Sequence, residues 1–173
     1  MEFIKKNLLA IIVAGAAVLA LIFGLILPGV SAEMGGATYT IGILGMAFGG
    51  AEYKVSAGGA TMTAKVGDGG MSIFGLISLV ALIVGIVLTI VSMFKDGKLG
   101  FIGSILIAVA GVCMLLLLVV GTDVSQTFGG QTYTSKFAET FEQFKLGIGA
   151  IIYAILAILG GAFGILNKFK KIV

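Results

Sequence analysis

Six acidic residues, Glu33, Glu52, Asp68, Asp123, Glu139 and Glu142, are the groups best placed for acid and base chemistry. None stands beside a candidate nucleophile, and all fall in two connecting segments. Gly67-Asp68-Gly69-Gly70 resembles a phosphate or calcium loop in composition. It lacks the Lys-Ser/Thr ending of the first and the repeated acids of the second, so it reads as a turn. With no His, Arg or Trp, the chain lacks the usual metal ligand, the neutral-pH switch and the bidentate phosphate binder. The single cysteine, Cys113, lies inside an apolar run, where it behaves as a small packing residue and can form no internal disulfide. These residues predict no enzymatic activity, no cofactor and no metal site.

The elements around them explain the scarcity of chemistry. The 173-residue chain is 59% hydrophobic and 11% charged, against about 25% charged in soluble domains. Its mean hydropathy is +1.20. Four uncharged apolar runs, 8–27, 71–94, 101–120 and 146–166, are each about 20 residues or longer, enough to cross a hydrocarbon core. The expected fold is therefore an all-α transmembrane four-helix bundle in one membrane domain, with segments 29–70 and 121–145 on one side.

Lysines set the expected orientation, because positive residues near span ends stay in the cytoplasm. Lys5, Lys6, Lys95, Lys98, Lys168, Lys170 and Lys171 fall on one side with only Glu2 and Asp96. The other side carries four lysines against the six acids named above. Both termini and the 95–100 turn are thus expected to be cytoplasmic, in a plasma (inner) membrane, and both longer segments outside. The basic rim reads as contact with anionic lipid rather than nucleic acid. An all-lysine basic set also fits an AT-rich, bacterial genome. Lys5, Lys6, the first apolar run and Val30-Ser31-Ala32 together match a cleavable leader as well. A retained first span is the preferred reading, because that run is longer than the roughly 7 to 15 apolar residues of a leader core.

Alternation in 29–70 predicts strands. Residues 52–56 and 61–66 flank Ala57-Gly58-Gly59-Ala60 and should form a hairpin, with Tyr53 and Val55 sharing a face with Met62, Ala64 and Val66. A third strand near 37–44 would complete a small extracellular antiparallel sheet, to which the second segment could add. In that segment Phe137, Phe141 and Phe144 recur at i, i+4 and i+7. The fourth helix should therefore begin near Ser135, before the apolar run. Gly35-Gly36-Ala37-Thr38-Tyr39-Thr40 is echoed by Gly129-Gly130-Gln131-Thr132-Tyr133-Thr134. The echo marks either two strands that pair with each other or a duplicated span-loop-span unit.

In lipid, helices associate through small residues that let backbones approach. The expected packing faces are Ala16, Ala20 and Gly24 in the first span; Ser78, Ala81 and Gly85 in the second; Ser104, Ala108 and Gly111 in the third. The fourth offers Ala150, Ala154, Ala157, Gly161 and Gly164. Gly160 and Gly164 also match a dimerization spacing. No span carries a charge, which disfavours proton relays and coupled transport.

Four spans with cytoplasmic ends, a longer strand-bearing first outer loop across Thr38 to Val66, a shorter second loop and an outward-extended helix resemble the claudin-like tetraspan architecture. The resemblance is topological: the tryptophan and two cysteines of the claudin loop have no counterparts here, so no site residue carries over. It implies a small sheet fused to a bundle and displayed outward. The functional expectation is a non-enzymatic structural or interaction protein of the cell envelope. It would be embedded in the lipid bilayer and assemble as a homo-oligomer or with another membrane protein. Tyr39, Phe48, Tyr53 and Tyr133 are the candidate contacts. The alternatives are an oligomeric channel, a holin-like pore, or a transport or accessory subunit.

Overall fold

The computed structural model describes residues 2–50, 52–95 and 98–170, with the side chains at 2, 5, 6 and 168–170 excepted. Those six side chains, together with Asp96 and residues 171–173, put most of the predicted basic rim outside the described residues. Four helices are long and apolar enough to cross a membrane, over Asn7–Ile26, Ile73–Ser92, Lys98–Leu115 and Ile148–Asn167. They belong to α1 (Glu2–Ile26), α3 (Ile73–Ser92), α4 (Lys98–Leu115) and α6 (Ile148–Lys170), while α2 (Ile43–Phe48) and α5 (Phe137–Thr140) are short. Around the bundle, α1 packs on α6, α6 on α4, α4 on α3 and, more loosely, α3 on α1. The ends of α1 and α4 and the starts of α3 and α6 all meet the same β-rich cap.

Five strands of the cap form one antiparallel sheet: β1 (Pro28–Met34), β2 (Ala37–Gly42), β3 (Glu52–Ala57), β4 (Ala60–Lys65) and β8 (Lys145–Leu146). Their order is β4-β3-β2-β1-β8, so the second connecting segment contributes the last strand. A three-stranded sheet, not foreseen as a separate unit, follows the order β5 (Asp68–Gly69), β6 (Val124–Phe128), β7 (Gln131–Ser135). Register separates the faces of the larger sheet. Leu146, Val30, Ile41, Tyr53 and Ala64 line up across it, as do Ala32, Tyr39, Val55 and Met62. The alternate rows, such as Lys145, Ser31, Thr40, Lys54 and Thr63, are polar. Because strand side chains alternate, one face is apolar and the other hydrophilic. Val30 and Ile41 are buried, whereas Met62 at the edge is 73% exposed.

Four expectations need correction. The fourth long helix does not start near Ser135: α5 is a single turn, the chain then pairs through β8 with β1, and α6 begins at Ile148. Glycine makes the break possible. A side chain on Gly149 would lie 2.7 Å from the Leu27 and Pro28 carbonyl oxygens, and Gly147 sits equally tightly on the Pro28 carbonyl. The predicted third strand near 37–44 stops at Gly42, and 43–48 turn into α2. The two echoed strands do not pair with each other. β2 lies between β1 and β3, while β7 pairs with β6. Ala32, where a leader would be cut, sits inside β1 and pairs with Tyr39 of β2. Helix α4 ends at Leu115, short of the predicted 120, as i to i+3 bonds at Leu116, Leu117 and Val119 tighten its exit.

Candidate interaction site

The bundle is closed from within by glycine and by hydrogen bonds. A Cβ on Gly161 would lie 2.6 Å from the Ala108 nitrogen and the Ser104 oxygen, and one on Gly111 would lie 2.9 Å from the Ala154 oxygen. Gly164 abuts the Ser104 side chain. Between α3 and α4, a Cβ on Gly85 would lie 2.7 Å from Ile107 and 2.9 Å from the Gly103 oxygen. A Cβ on Gly24 of α1 would lie 2.7 Å from the Tyr153 ring, and one on Gly160 3.1 Å from the Ala16 methyl. Ala20, Ala81, Ala150, Ala154 and Ala157 are buried. Gly160 and Gly164 therefore both face neighbours inside the protomer. Two close-approach positions absent from the predicted set are Gly75 and Gly103, where an added Cβ would lie 2.7 Å from Leu117 and 2.5 Å from Thr89.

Tyr153 sits at the centre, fully buried. Its hydroxyl donates to the Ser78 carbonyl (3.1 Å) and accepts from the Ser78 hydroxyl (3.1 Å), which also reaches the Ala110 carbonyl (2.6 Å). Thr89, Ser92 and Ser104 bond back to carbonyls of their own helices. No buried side-chain polar atom among the described residues is left without a partner. The buried hydroxyls described in these helices are spent on partners inside the protomer.

The cap is different. Tyr39 and Tyr53, half-buried on the apolar sheet face, stack with ring centroids 5.8 Å apart. Opposite them stand Phe141 and Phe144, 5.5 Å apart, with Phe137 4.6 Å from Phe141. Between these walls lies a cleft of about 180 Å³, completed by Met34, Val66, Thr140 and Gln126, whose amide donates to the Val66 carbonyl at 2.6 Å. The phenylalanine spacing foreseen in the sequence thus lines a cleft beside a sheet, not the face of a long helix.

The four candidate contacts divide. Tyr39 and Tyr53 share the cleft wall; Phe48 and Tyr133 stand apart and more exposed, at 62% and 59%. Phe48 ends α2, whose Leu44 is also exposed. Tyr133 lies on β7, its hydroxyl donating to Gln131 at 2.9 Å. Like Leu44, Met62 and Phe128 are exposed apolar residues of the cap that were not foreseen as contacts. Phe128 directly precedes a Gly-Gly turn, and Met62 occupies the place that tyrosine holds in the echoed hexapeptides.

The cap also presents unfilled strand edges. β4 pairs only with β3, and β7 only with β6. A free edge displays unpaired backbone donors and acceptors and acts as a template for another strand. No protein-family model matches this chain, and no curated protein matches it.

Proposed function

We propose that this protein is a non-enzymatic structural or interaction protein of the plasma (inner) membrane. Both termini would be cytoplasmic and the β-rich cap displayed outward, where it self-assembles or binds a partner membrane protein. The lysine asymmetry supports the orientation, since seven lysines with two acids flank one set of helix ends and four lysines with six acids the other. The claudin-like topology resemblance belongs to the same proposal, at the level of architecture.

One observation carries the functional reading. Every buried side-chain polar group described in the bundle is satisfied, while the cap leaves the edges of the longer strands β4 and β7 and an aromatic cleft without a partner. Spans without Asp, Glu, Lys or Arg provide no proton or ion relay. The test is extraction in mild detergent followed by mass measurement, together with ion flux from liposomes holding the purified protein. Flux-silent oligomers or stable complexes are expected. Sustained flux would instead favour the pore reading and sink this one.

A further inference from the structure

The echoed hexapeptide occurs three times. Gly35-Gly36-Ala37-Thr38-Tyr39-Thr40 and Gly129-Gly130-Gln131-Thr132-Tyr133-Thr134 are joined by Gly58-Gly59-Ala60-Thr61-Met62-Thr63. Each forms the turn and second strand of a two-residue hairpin. Both glycines of every turn have positive φ, 58° and 77°, 56° and 84°, and 58° and 82°, as a turn matched to strand twist requires. The residues flanking such a turn form a hydrogen-bonded pair, and bonding alternates from there. Both threonines of each hexapeptide therefore fall at sites not bonded to their own hairpin partner, with N–H and C=O aimed outward. Hydroxyl pairs at these positions, Ser56 with Thr61, Thr127 with Thr132 and Ser125 with Thr134, all at 3.2 Å, fit their close side-chain spacing.

The fold itself displays what such an edge accepts. In the first hairpin the outward side of β2 is filled by β3, running antiparallel, with Thr38 opposite Ser56 and Thr40 opposite Lys54. The same edge is empty on β4, at Thr61 and Thr63, and on β7, at Thr132 and Thr134. We infer that the occupant is a second copy of this chain, with β4 of one protomer pairing antiparallel with β7 of the next.

Charge selects this unlike pairing. Lys65 of β4 pairs with Glu52, and Thr63 with Lys54, a net positive edge; the sheet of β7 carries Asp68 on β5 with Asp123 next to β6, and Lys136 and Glu139 follow β7 at α5, a net negative one. Joining β4 to β4 or β7 to β7 sets like against like, whereas β4 to β7 sets unlike together. A parallel match would bring Lys65 beside Lys136. The antiparallel match places each lysine near the other protomer's uncharged Gly-Gly turn. It sets Thr63 opposite Thr132 of the neighbour, and Met62 beside the neighbour's Tyr133, covering two side chains that are exposed in the single protomer. The merged sheet runs continuously through eight strands. Because each protomer keeps one edge free for the next, the contact is head to tail and builds rows or closed rings.

This rests on the scaffold reading above, and the experiment separates the two. Full-length protein with Cys113→Ala carries Thr63→Cys and Thr132→Cys, singly and together, in membranes treated with a short bismaleimide. The double variant is expected to give a ladder of three or more protomers, a mixture of the single variants to give dimers, and each single variant to remain monomeric. Adding Thr61→Pro to the double variant removes an outward N–H that β3 does not use, leaves both thiols in place, and should abolish the ladder while the protein still purifies as a folded species. Thr61→Lys, a charge on the same edge, should do so without proline. Dimers from either single cysteine variant, cross-links only to other proteins, no ladder, or a ladder indifferent to both edge substitutions would each overturn the pairing. A multi-protomer mass with no ladder overturns only the β4–β7 joint and leaves the scaffold reading standing. Ion flux overturns the reading itself.

Discussion

The bundle and the cap are built from similar materials to opposite ends. Both are glycine-rich, but glycines such as Gly85, Gly111 and Gly161 let helix backbones touch, while those at 35–36, 58–59 and 129–130 reverse the chain. Both contain hydroxyl side chains. In the bundle Ser78, Thr89 and Ser104 spend their hydrogen bonds on helix carbonyls. In the cap Thr61 and Thr63 of β4, and Thr132 and Thr134 of β7, mark edges that no strand of the protomer occupies. The buried polar side chains described in the bundle are satisfied within the protomer, while the cap keeps the edges of β4 and β7 open. Substitutions should therefore act on folding in the bundle and on association in the cap.

The strongest test of that division is Gly161→Leu. The nearest obstacles, at 2.6 Å, are backbone atoms that cannot rotate away, so no monodisperse protein should be recovered from detergent. Next comes Tyr153, where alanine should cost about 3–5 kcal/mol through the cavity it leaves. Phenylalanine, which loses only the hydroxyl bonds, should cost about 1 kcal/mol. Equilibrium unfolding in mixed micelles measures both, and equal losses would remove the hydrogen bonds from the account of bundle closure. Replacing Gly58 and Gly59 together by alanine should strain the hairpin by about 1–2 kcal/mol per residue. The effect should appear as faster proteolysis at the β3–β4 turn with bundle unfolding unchanged. Smallest is Gly15→Ala: nothing lies within 4 Å of the added methyl, and unfolding should shift by less than about 1 kcal/mol, toward stability. A large loss there would show that glycine position does not divide the molecule as described.

The long apolar runs made the four helices readable, because nothing but helix satisfies the backbone over such lengths in lipid. The hairpin at 52–65 was readable for a different reason: its alternation and its Gly-Gly turn agree. β1 was not read, because Pro28-Gly29 ends one helix and Val30-Ser31-Ala32 resembles a cleavage motif, so local signals pointed away from a strand. Phe137, Phe141 and Phe144 misled in the opposite direction. Their spacing suits a helix, but the decisive contacts are the pairing of 145–146 with β1 and the seating of Gly147 and Gly149 on the end of α1, both remote in sequence. The third hexapeptide escaped notice because methionine replaces tyrosine. Its significance lies in backbone direction, which an identity match does not express. The aromatic cleft is harder still, since its two walls come from segments joined only by the fold.

The pairing of β8 with β1 has a temporal consequence. As the polypeptide leaves the ribosome, the strand at 28–34 emerges long before its second neighbour at 145–146, with α3, α4 and the β6–β7 hairpin made in between. Until the last helix is delivered, the nascent sheet stays open along its β1 side. A product truncated before Lys145 would carry that opening permanently, giving quality-control proteases a clear mark of an unfinished molecule.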